Sequence, residues 1–522
     1  MNGIDFLDRG WRLNPAGPCM IDAETGDEYS YTWVREQTFI IANALRAEGY
    51  GIGSVVGVLS RNHPLAFLAV LSVMRAGATY LPVNARNSIR ENAEIFRDFG
   101  CEVLFLHGEF VDAAEEIQRI APGIKRVVLI EGDRSGLPDL ARFTSGFDAT
   151  PFDLPHDHER PYEYLTTGGT TGRPKGVVFP NRQLESIVAN FSAVAPCDVP
   201  PVFLAAAPLT HLSGKFMQYV MSRGGTGIVM GRVDRAQILR LIPEHRVTHL
   251  FLPPTVIYDL LAQPGVREVD YSSLRYFLYS AAPMAPEKVR EAITVFGPVI
   301  CQVWGQSEAA WNTILLPEDH FADGVLGGEI ADNDRLASCG RPLPFVNVEV
   351  MDEAGNLLAD GERGELVVRG MCVMQGYYGQ PELTKAVSEH GWHHTGDIGY
   401  RDAQGYFHIV DRKKDMIISG GFNIFSAEVE RAILDHPEVA ECAVIGVPHE
   451  KWGEAVLAIV EMRPGRQADA ESILAFCRER IGAMKTPKSI EFVAQLPRNA
   501  NGKILKHTLR EKHWSGADRR VS

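Results

Sequence analysis

No two cysteines of this 522-residue chain stand at CxxC spacing, and none joins histidines in a cluster at zinc-ligand spacing. The eight thiols, Cys19, Cys101, Cys197, Cys301, Cys339, Cys372, Cys442 and Cys477, are scattered. That pattern argues against a disulfide scaffold or a zinc module and reads as reduced, mostly buried thiols in a cytosolic protein. The opening MNGIDFLDRGWRLNPAG has no basic stretch followed by an apolar one, so no signal peptide is expected. Long hydrophobic runs are missing too. The most apolar segment, 66–83, is broken by Arg75, Gly77 and Pro82, so it reads as a buried helix and a strand, not a membrane span. Positive charge is in deficit: 52 Lys and Arg face 66 Asp and Glu, a net charge of −14. Broad binding to nucleic acid or to an anionic membrane surface is not expected, although a local basic pocket is still allowed. Neither an internal repeat nor a single-residue tract is found.

Apolar residues make up 45% and charged residues 23%, ordinary proportions for a globular protein. Single cores rarely grow beyond about 250–300 residues, so more than one domain is expected. Residues 54–59 read as a buried strand. A helix over 65–75 follows, introduced by Asn62 and Pro64 and ended by Gly77, and 78–83 is the next strand. This is a βαβ unit with a right-handed crossover. The alternation recurs from 203 to 303, with strands at 203–206, 226–230, 248–252, 275–279 and 299–303 and amphipathic stretches at 235–244 and 286–296. The expected fold class is α/β, with mostly parallel sheets covered by helices in a large N-terminal domain. In such sheets ligands sit at the carboxyl ends of the strands. From about 340 to 410, short alternating runs between Gly- and Asp-rich turns predict an antiparallel β subdomain. After the polar break DRKKD at 411–415, helices near 426–434 and 470–481 and strands near 440–445, 455–461 and 489–493 are expected. They form a separate α+β domain of about 100 residues.

The strongest local signal is YLTTGGTTGRPKG at 164–176, with four threonines and three glycines between Thr166 and Gly172 and Lys175 behind them. Glycines let backbone amides approach an anion, threonine hydroxyls add donors, and the lysine adds charge: a cradle for polyphosphate. A flexible surface loop has the same composition, but the ordered ending GRPKG favours the cradle. It is not a Walker A motif, since Lys175 follows Pro174 and precedes Gly176. Thr167–Lys175 resembles the signature of the acyl-adenylate-forming superfamily: acyl-CoA synthetases, peptide-synthetase adenylation domains and luciferases. Gly168 stands where serine or threonine is commonest, which removes one hydroxyl. The resemblance implies that Thr167, Gly168, Gly169, Thr170, Thr171, Gly172 and Lys175 hold the phosphates of ATP.

Further motifs follow in the family's order. PLTHLSG at 208–214 resembles a second motif, in which His211 lines the acyl pocket beside the reacting carboxylate. Amino-acid-activating relatives place an aspartate there for the substrate ammonium. None of residues 208–214 is acidic, which points to an amine-free acid. SAAP at 280–283, with Ala282, resembles the adenine-side turn. QVWGQSE at 302–308 resembles the aromatic-G-x-T-E motif, with Ser307 in place of threonine. It assigns Gln302, Trp304 and Ser307 to the nucleotide, Trp304 as a flat wall beside adenine, and Glu308 to Mg2+. TGD at 395–397, through Asp397, and Arg412 resemble the ribose contacts. Lys414 occupies the hinge position, and Gly420 and Gly421 match the glycine-rich strand beside the thiol tunnel. PRNANGK at 497–503 resembles the motif that carries the adenylation lysine, Lys503. Taken singly, each residue has a plainer reading: a core histidine for His211, a solvated carboxylate for Glu308, a linker charge for Arg412, a helix N-cap for Ser426 and a solvated lysine for Lys503.

The resemblance implies an ATP-dependent acyl-CoA synthetase using ATP, Mg2+ and coenzyme A, with Lys503, His211 and Glu308 as its catalytic residues. It implies an AMP- and acyl-binding domain over 1–411, a hinge at 412–415 and a mobile C-terminal domain over 416–522. His211, Phe216, Tyr279, Gly305 and Ala309 are the expected pocket walls, and Gly305 and the alanines leave room for a fatty, alicyclic or aryl acid. Lys215 beside them reads as a surface lysine, with pairing to a second substrate carboxylate as the alternative. Transfer to a carrier-protein phosphopantetheine is a rival acceptor reading. A catalytically silent nucleotide-binding homologue is a rival class, opposed by the joint presence of Lys175, Glu308, Asp397, Arg412 and Lys503. The expected partner is a small-molecule carboxylic acid, without nucleic acid or an integral membrane segment, for a cytoplasmic monomer or homodimer.

Overall fold

The structure, a computed structural model, describes residues 1–131, 136–167, 175–210, 212–466, 468–498 and 504–514. The chain divides into two compact units, one of Met1–Val348 with Val368–His393 and one of Glu349–Val367 with His394–Ser522. No helix among the described residues is long and apolar enough to cross a membrane.

The first unit is built on two large sheets. In the seven-stranded sheet, Arg126–Leu129, Val103–Leu106, Val55–Leu59, Thr79–Pro82 and Pro161–Thr167 run parallel, and Lys175–Pro180 and Gly376–Tyr377 extend the edge antiparallel. The expected βαβ unit is here. Pro64–Ala76 is the crossover helix: His63 caps it by accepting from the Leu65 N–H, Pro64 opens it, and Gly77 at φ 79° closes it. In the nine-stranded sheet, Pro18–Asp22, Thr226–Val229, Val202–Ala205, His249–Leu252, Tyr276–Tyr279 and Ile300–Trp304 run parallel. Sequences such as HLFL are buried on both faces, which is why they read as continuous apolar runs. The helices Arg235–Glu244 and Pro286–Phe296 lie where expected and pack Ile238, Ile242, Val289 and Phe296 against Leu204, Leu250 and Phe277 of the sheet. Each such side chain contributes about 1.5–3 kcal/mol by leaving water.

Most of a four-stranded sheet of Val346–Met351, Gly364–Gly370, His393–Arg401 and Phe407–Arg412 lies in the second unit. Its turns are local side-chain devices: Asp402 accepts from the N–H groups of Gln404 and Tyr406 at 2.8 and 3.0 Å. A second sheet is organised by the long hairpin Val439–His449 and Gly453–Met462. These strands run further than expected because His449 Nδ1 accepts from Lys451 N and Trp452 N and closes a tight turn. The helices Ser426–Leu434 and Ala470–Lys485 cover this sheet through Val429, Ile433, Ile473 and Cys477.

Candidate active site

The strands Pro161–Thr167 and Lys175–Pro180 are antiparallel partners, with Thr167 opposite Lys175 on the last rung. The phosphate-loop sequence joins them. Gly168, Gly169, Thr170, Thr171 and Gly172 lie outside the described residues, as do His211 and Lys503. A Cβ at Gly176 would overlap the Phe99 ring, so any larger residue after Lys175 would have to displace that ring.

Glu308 lies past the carboxyl end of Ile300–Trp304, the position expected for a ligand-facing group. It sits on a tight turn in which Gln306 and Ala309 exchange backbone hydrogen bonds of 2.9 and 3.1 Å. The segment after Met371 holds that turn: Met374 N donates to Glu308 O at 2.7 Å and Ala310 N to Cys372 O at 3.0 Å. Tyr377 Oη donates to Glu308 Oε1 at 2.8 Å, and the Lys175 ammonium lies 5.4 Å from the centroid of the same ring. Burial, and then the Glu308 carboxylate, push the Tyr377 phenol well above its usual range, so it stays a donor. Sequence reasoning missed Tyr377. Its only trace there is an aromatic after Gly376 in a glycine-rich stretch.

Other expected residues cluster around the same strand. Tyr279 is fully buried and donates its hydroxyl to Gln302 Oε1 at 3.0 Å. Trp304 is buried at the strand end, and Ser307 O accepts from the Gln183 amide at 3.0 Å. Ala282 is exposed beyond the strand Tyr276–Tyr279, next to Ala281, which has φ 74°. A non-glycine residue in that region is strained and marks a turn fixed by its surroundings. Phe216 is fully buried, packed on Phe191, Phe203 and Trp311, and Ala309 is fully buried as well. A Cβ on Gly305 would lie 2.5 Å from Trp311 N, so close backbone packing alone requires glycine there. Lys215 is not a surface lysine. It is 5% exposed and paired with the 1% exposed Glu163, its Nζ 2.8 and 2.6 Å from the two carboxylate oxygens.

The second unit carries its own share. Asp397 and Arg412 face each other across adjacent strands, Arg412 Nε 2.5 Å from Asp397 Oδ1. Thr395 hydrogen-bonds Leu366 O at 2.6 Å, and Glu365 accepts from Gly396 N at 2.9 Å. Burial pushes the Glu365 carboxyl up, but His394, Lys413 and that N–H outweigh it and hold it below its usual range. Gly420 and Gly421, at φ 60° and 83°, are the two central residues of a hairpin turn closed by Ser419 opposite Phe422. Two consecutive positive φ values account for the pair by turn chemistry alone. Lys414 lies in a single 3₁₀ turn, Lys413–Asp415. Ser426 Oγ donates to Asp411 at 3.1 Å and accepts from Lys506 Nζ at 2.8 Å. Lys506 pairs with Glu430 at 2.7 Å, and Arg510 with Asp415 at 2.5 Å. Burial presses the Lys506 ammonium down, but Glu430, Asp415 and Asp411 outweigh it and raise its pKa.

Two family models match the chain in order: AMP-binding enzyme over residues 7–378, and AMP-binding enzyme C-terminal domain over 428–503. The chain belongs to the AMP-binding enzyme family. It is the acyl-adenylate-forming superfamily that the motifs resemble. The chain is 35% identical over 495 residues to the medium/long-chain-fatty-acid–CoA ligase FadD8 of Mycobacterium tuberculosis, covering 92% of this chain and 84% of that one. It is 35% identical over 489 residues to a feruloyl-CoA synthase of Amycolatopsis, covering 93% and 94%. The crystal structure of ATP-bound MatB from Rhodopseudomonas palustris superposes with a TM-score of 0.87 at 28% identity, covering 98% of this chain and 99% of that one.

The described residues fit the cation that this family implies. Glu308 is a partly exposed carboxylate held by the Tyr377 hydroxyl, and hard divalent cations take such oxygens. A second cluster does not suit a metal. His63, His107 and Glu131 bring their ligand atoms within 4.8 Å of one another. Both imidazoles, however, already accept backbone N–H bonds at Nδ1, from Leu65 and Glu109. That leaves each Nε2 to carry the proton, 3.5 and 3.9 Å from the Glu131 carboxylate, so neither ring offers a free lone pair to a metal there.

Proposed function

We propose that this chain is an ATP-dependent acyl-CoA synthetase, making an acyl-adenylate from a carboxylic acid and then an acyl-CoA thioester, with release of pyrophosphate and AMP. It is an AMP-forming acid–thiol ligase. The observation that carries this reading is the meeting of Lys175 and Glu308 around Tyr377 at the carboxyl end of Ile300–Trp304, in a chain of the AMP-binding enzyme family. The two relatives named above, both CoA ligases, support coenzyme A as acceptor, and their names support fatty or aryl acids.

The substrate carboxylate attacks the α-phosphate, and pyrophosphate leaves. Lys175 and the loop before it hold the outer phosphates, and Glu308 is the group to hold a divalent cation, whose charge would offset that of the phosphates. Trp304, Gln302, Ser307 and Ala282 form the adenine side, while Asp397 and Arg412 take the ribose. Lys503 stabilises charge developing at the α-phosphate, and His211 borders the acid. Positioning and electrostatics carry this chemistry, since the protein forms no covalent bond of its own. Residues 1–411 and 416–522 act as two domains about a hinge at 412–415, centred on Lys414. Rotation there withdraws Lys503 and brings Gly420 and Gly421 to the thiol.

The test is incubation with MgATP and a panel of fatty, alicyclic and aryl acids, with and without coenzyme A, followed by mass spectrometry of AMP, pyrophosphate and thioester. CoA-dependent AMP release with the matching thioester is the expected result. An adenylate without thioester assigns another acceptor, such as a carrier-protein phosphopantetheine. No adenylate from any acid sinks the proposal.

A further inference from the structure

Glu308 and Lys175 belong to different sheets, Glu308 beyond the nine-stranded one and Lys175 on the seven-stranded one, on the strand next to its Gly376–Tyr377 edge. One short segment, 371–378, touches both. On the Glu308 side it supplies the backbone bonds from Met374 and Cys372 and the Tyr377 hydroxyl. On the Lys175 side, Gly376 and Tyr377 pair with Val178 and Val177, and Tyr378 N donates to Gly176 O at 2.7 Å. Arg182 fastens the strap from below, donating to Met371 O at 3.1 Å and to Val373 O. Thr384 Oγ1 accepts from Tyr377 N at 2.9 Å and fixes the backbone behind the ring.

We infer that Tyr377 is a positioning residue for metal–nucleotide binding: its hydroxyl orients the Glu308 carboxylate toward the cation while its ring face borders the Lys175 ammonium. The inference rests on the proposed function. Packing alone does not account for the residue. Tyr377 sits in a small apolar cluster with Leu165, Val177 and Met374, and phenylalanine would fill that space equally well. The hydroxyl is the extra part, and it is spent on one oxygen of Glu308. Carboxylates that bind cations are oriented in this way by a neighbouring donor, and losing such a partner weakens metal affinity by about 10- to 100-fold.

The experiment measures Mn2+–ATP affinity by electron paramagnetic resonance for wild type, Y377F, E308Q and the double variant, with thermal unfolding in parallel. Y377F should weaken Mn2+–ATP binding by about tenfold with the unfolding midpoint unmoved. In the E308Q background it should have no further effect, because the hydroxyl acts through Glu308. Unchanged affinity in Y377F, the same loss persisting in E308Q, or a loss matched by a falling midpoint would each overturn the inference alone. Wild-type protein that binds no Mn2+–ATP would overturn the functional reading and this inference together.

Discussion

The Glu163–Lys215 pair offers the sharpest test of how the first unit is held together. Glu163 is on the strand that leads to Thr167, and Lys215 is on the helix Leu212–Ser222, with Nζ 2.8 and 2.6 Å from the two carboxylate oxygens and both residues almost fully buried. The Phe179 ring lies 5.2 Å from the ammonium, and Tyr80 faces Glu163 across the neighbouring strand. Glu163→Gln or Lys215→Met leaves one buried charge without its partner, which costs about 3–5 kcal/mol. A slope of ~3 kcal/mol per molar urea turns that into a midpoint shift of roughly 1–1.7 M. Glu163→Leu combined with Lys215→Met removes both charges and should regain most of the loss, since well-packed apolar pairs replace buried ion pairs at little cost. Urea titration followed by tryptophan fluorescence reads all four proteins. Single variants that unfold at the wild-type midpoint, or a double variant no better than the singles, would refute the assignment of a desolvated, mutually dependent pair.

Asp8 accepts two hydrogen bonds from Arg75, at 2.6 and 2.8 Å, and one from Arg35 at 2.9 Å. Burial raises its carboxyl, but the two guanidinium groups outweigh it, so its native pKa is lowered. The ionised form therefore favours the fold: its contribution is full above about pH 4, the unfolded value, and is lost as pH falls through the native one. Asp8→Asn should cost about 1.5–3 kcal/mol at pH 7, and paired denaturation curves should converge with wild type in more acidic buffer. Gly305→Ala presses a methyl against the Trp311 backbone and should destabilise by about 1–3 kcal/mol. A midpoint unchanged in thermal unfolding, with bulky acids newly excluded, would show instead that the glycine serves the pocket. Lys506→Met strips the cation from Glu430, Asp415 and Asp411 and should loosen the second unit by about 3–5 kcal/mol, seen as faster proteolysis within residues 394–514.

The alternation of apolar runs and helical stretches made the parallel sheets legible. Each strand from 203 to 303 lies within a residue or two of its expected place, because strands buried on both faces have no alternative use for their side chains. The place of Glu308 just past a strand end was legible from its position after 299–303, whereas the pairing of Asp397 with Arg412 across adjacent strands was not, since each was marked only by its own motif. Lys215 was misread because a lone lysine carries no sign of its partner, and Glu163 lies far away in the chain on a strand that otherwise looks apolar. Tyr377 was missed for a related reason: its role depends on two other residues that only the fold brings beside it. Gly305, Gly420 and Gly421 were noticed for the space they leave, yet a close backbone and a hairpin turn account for them locally.

All eight cysteines are buried, and burial lifts the thiols of Cys101 and Cys372 to about 12 and that of Cys477 to about 11. The native protein is thus nearly silent toward a thiol dye at neutral pH, since its thiols are buried out of the dye's reach. The free thiol of coenzyme A can then be followed continuously by colour in the same cuvette as the enzyme. Any slow rise in that colour without substrate reports the protein opening, not the reaction running.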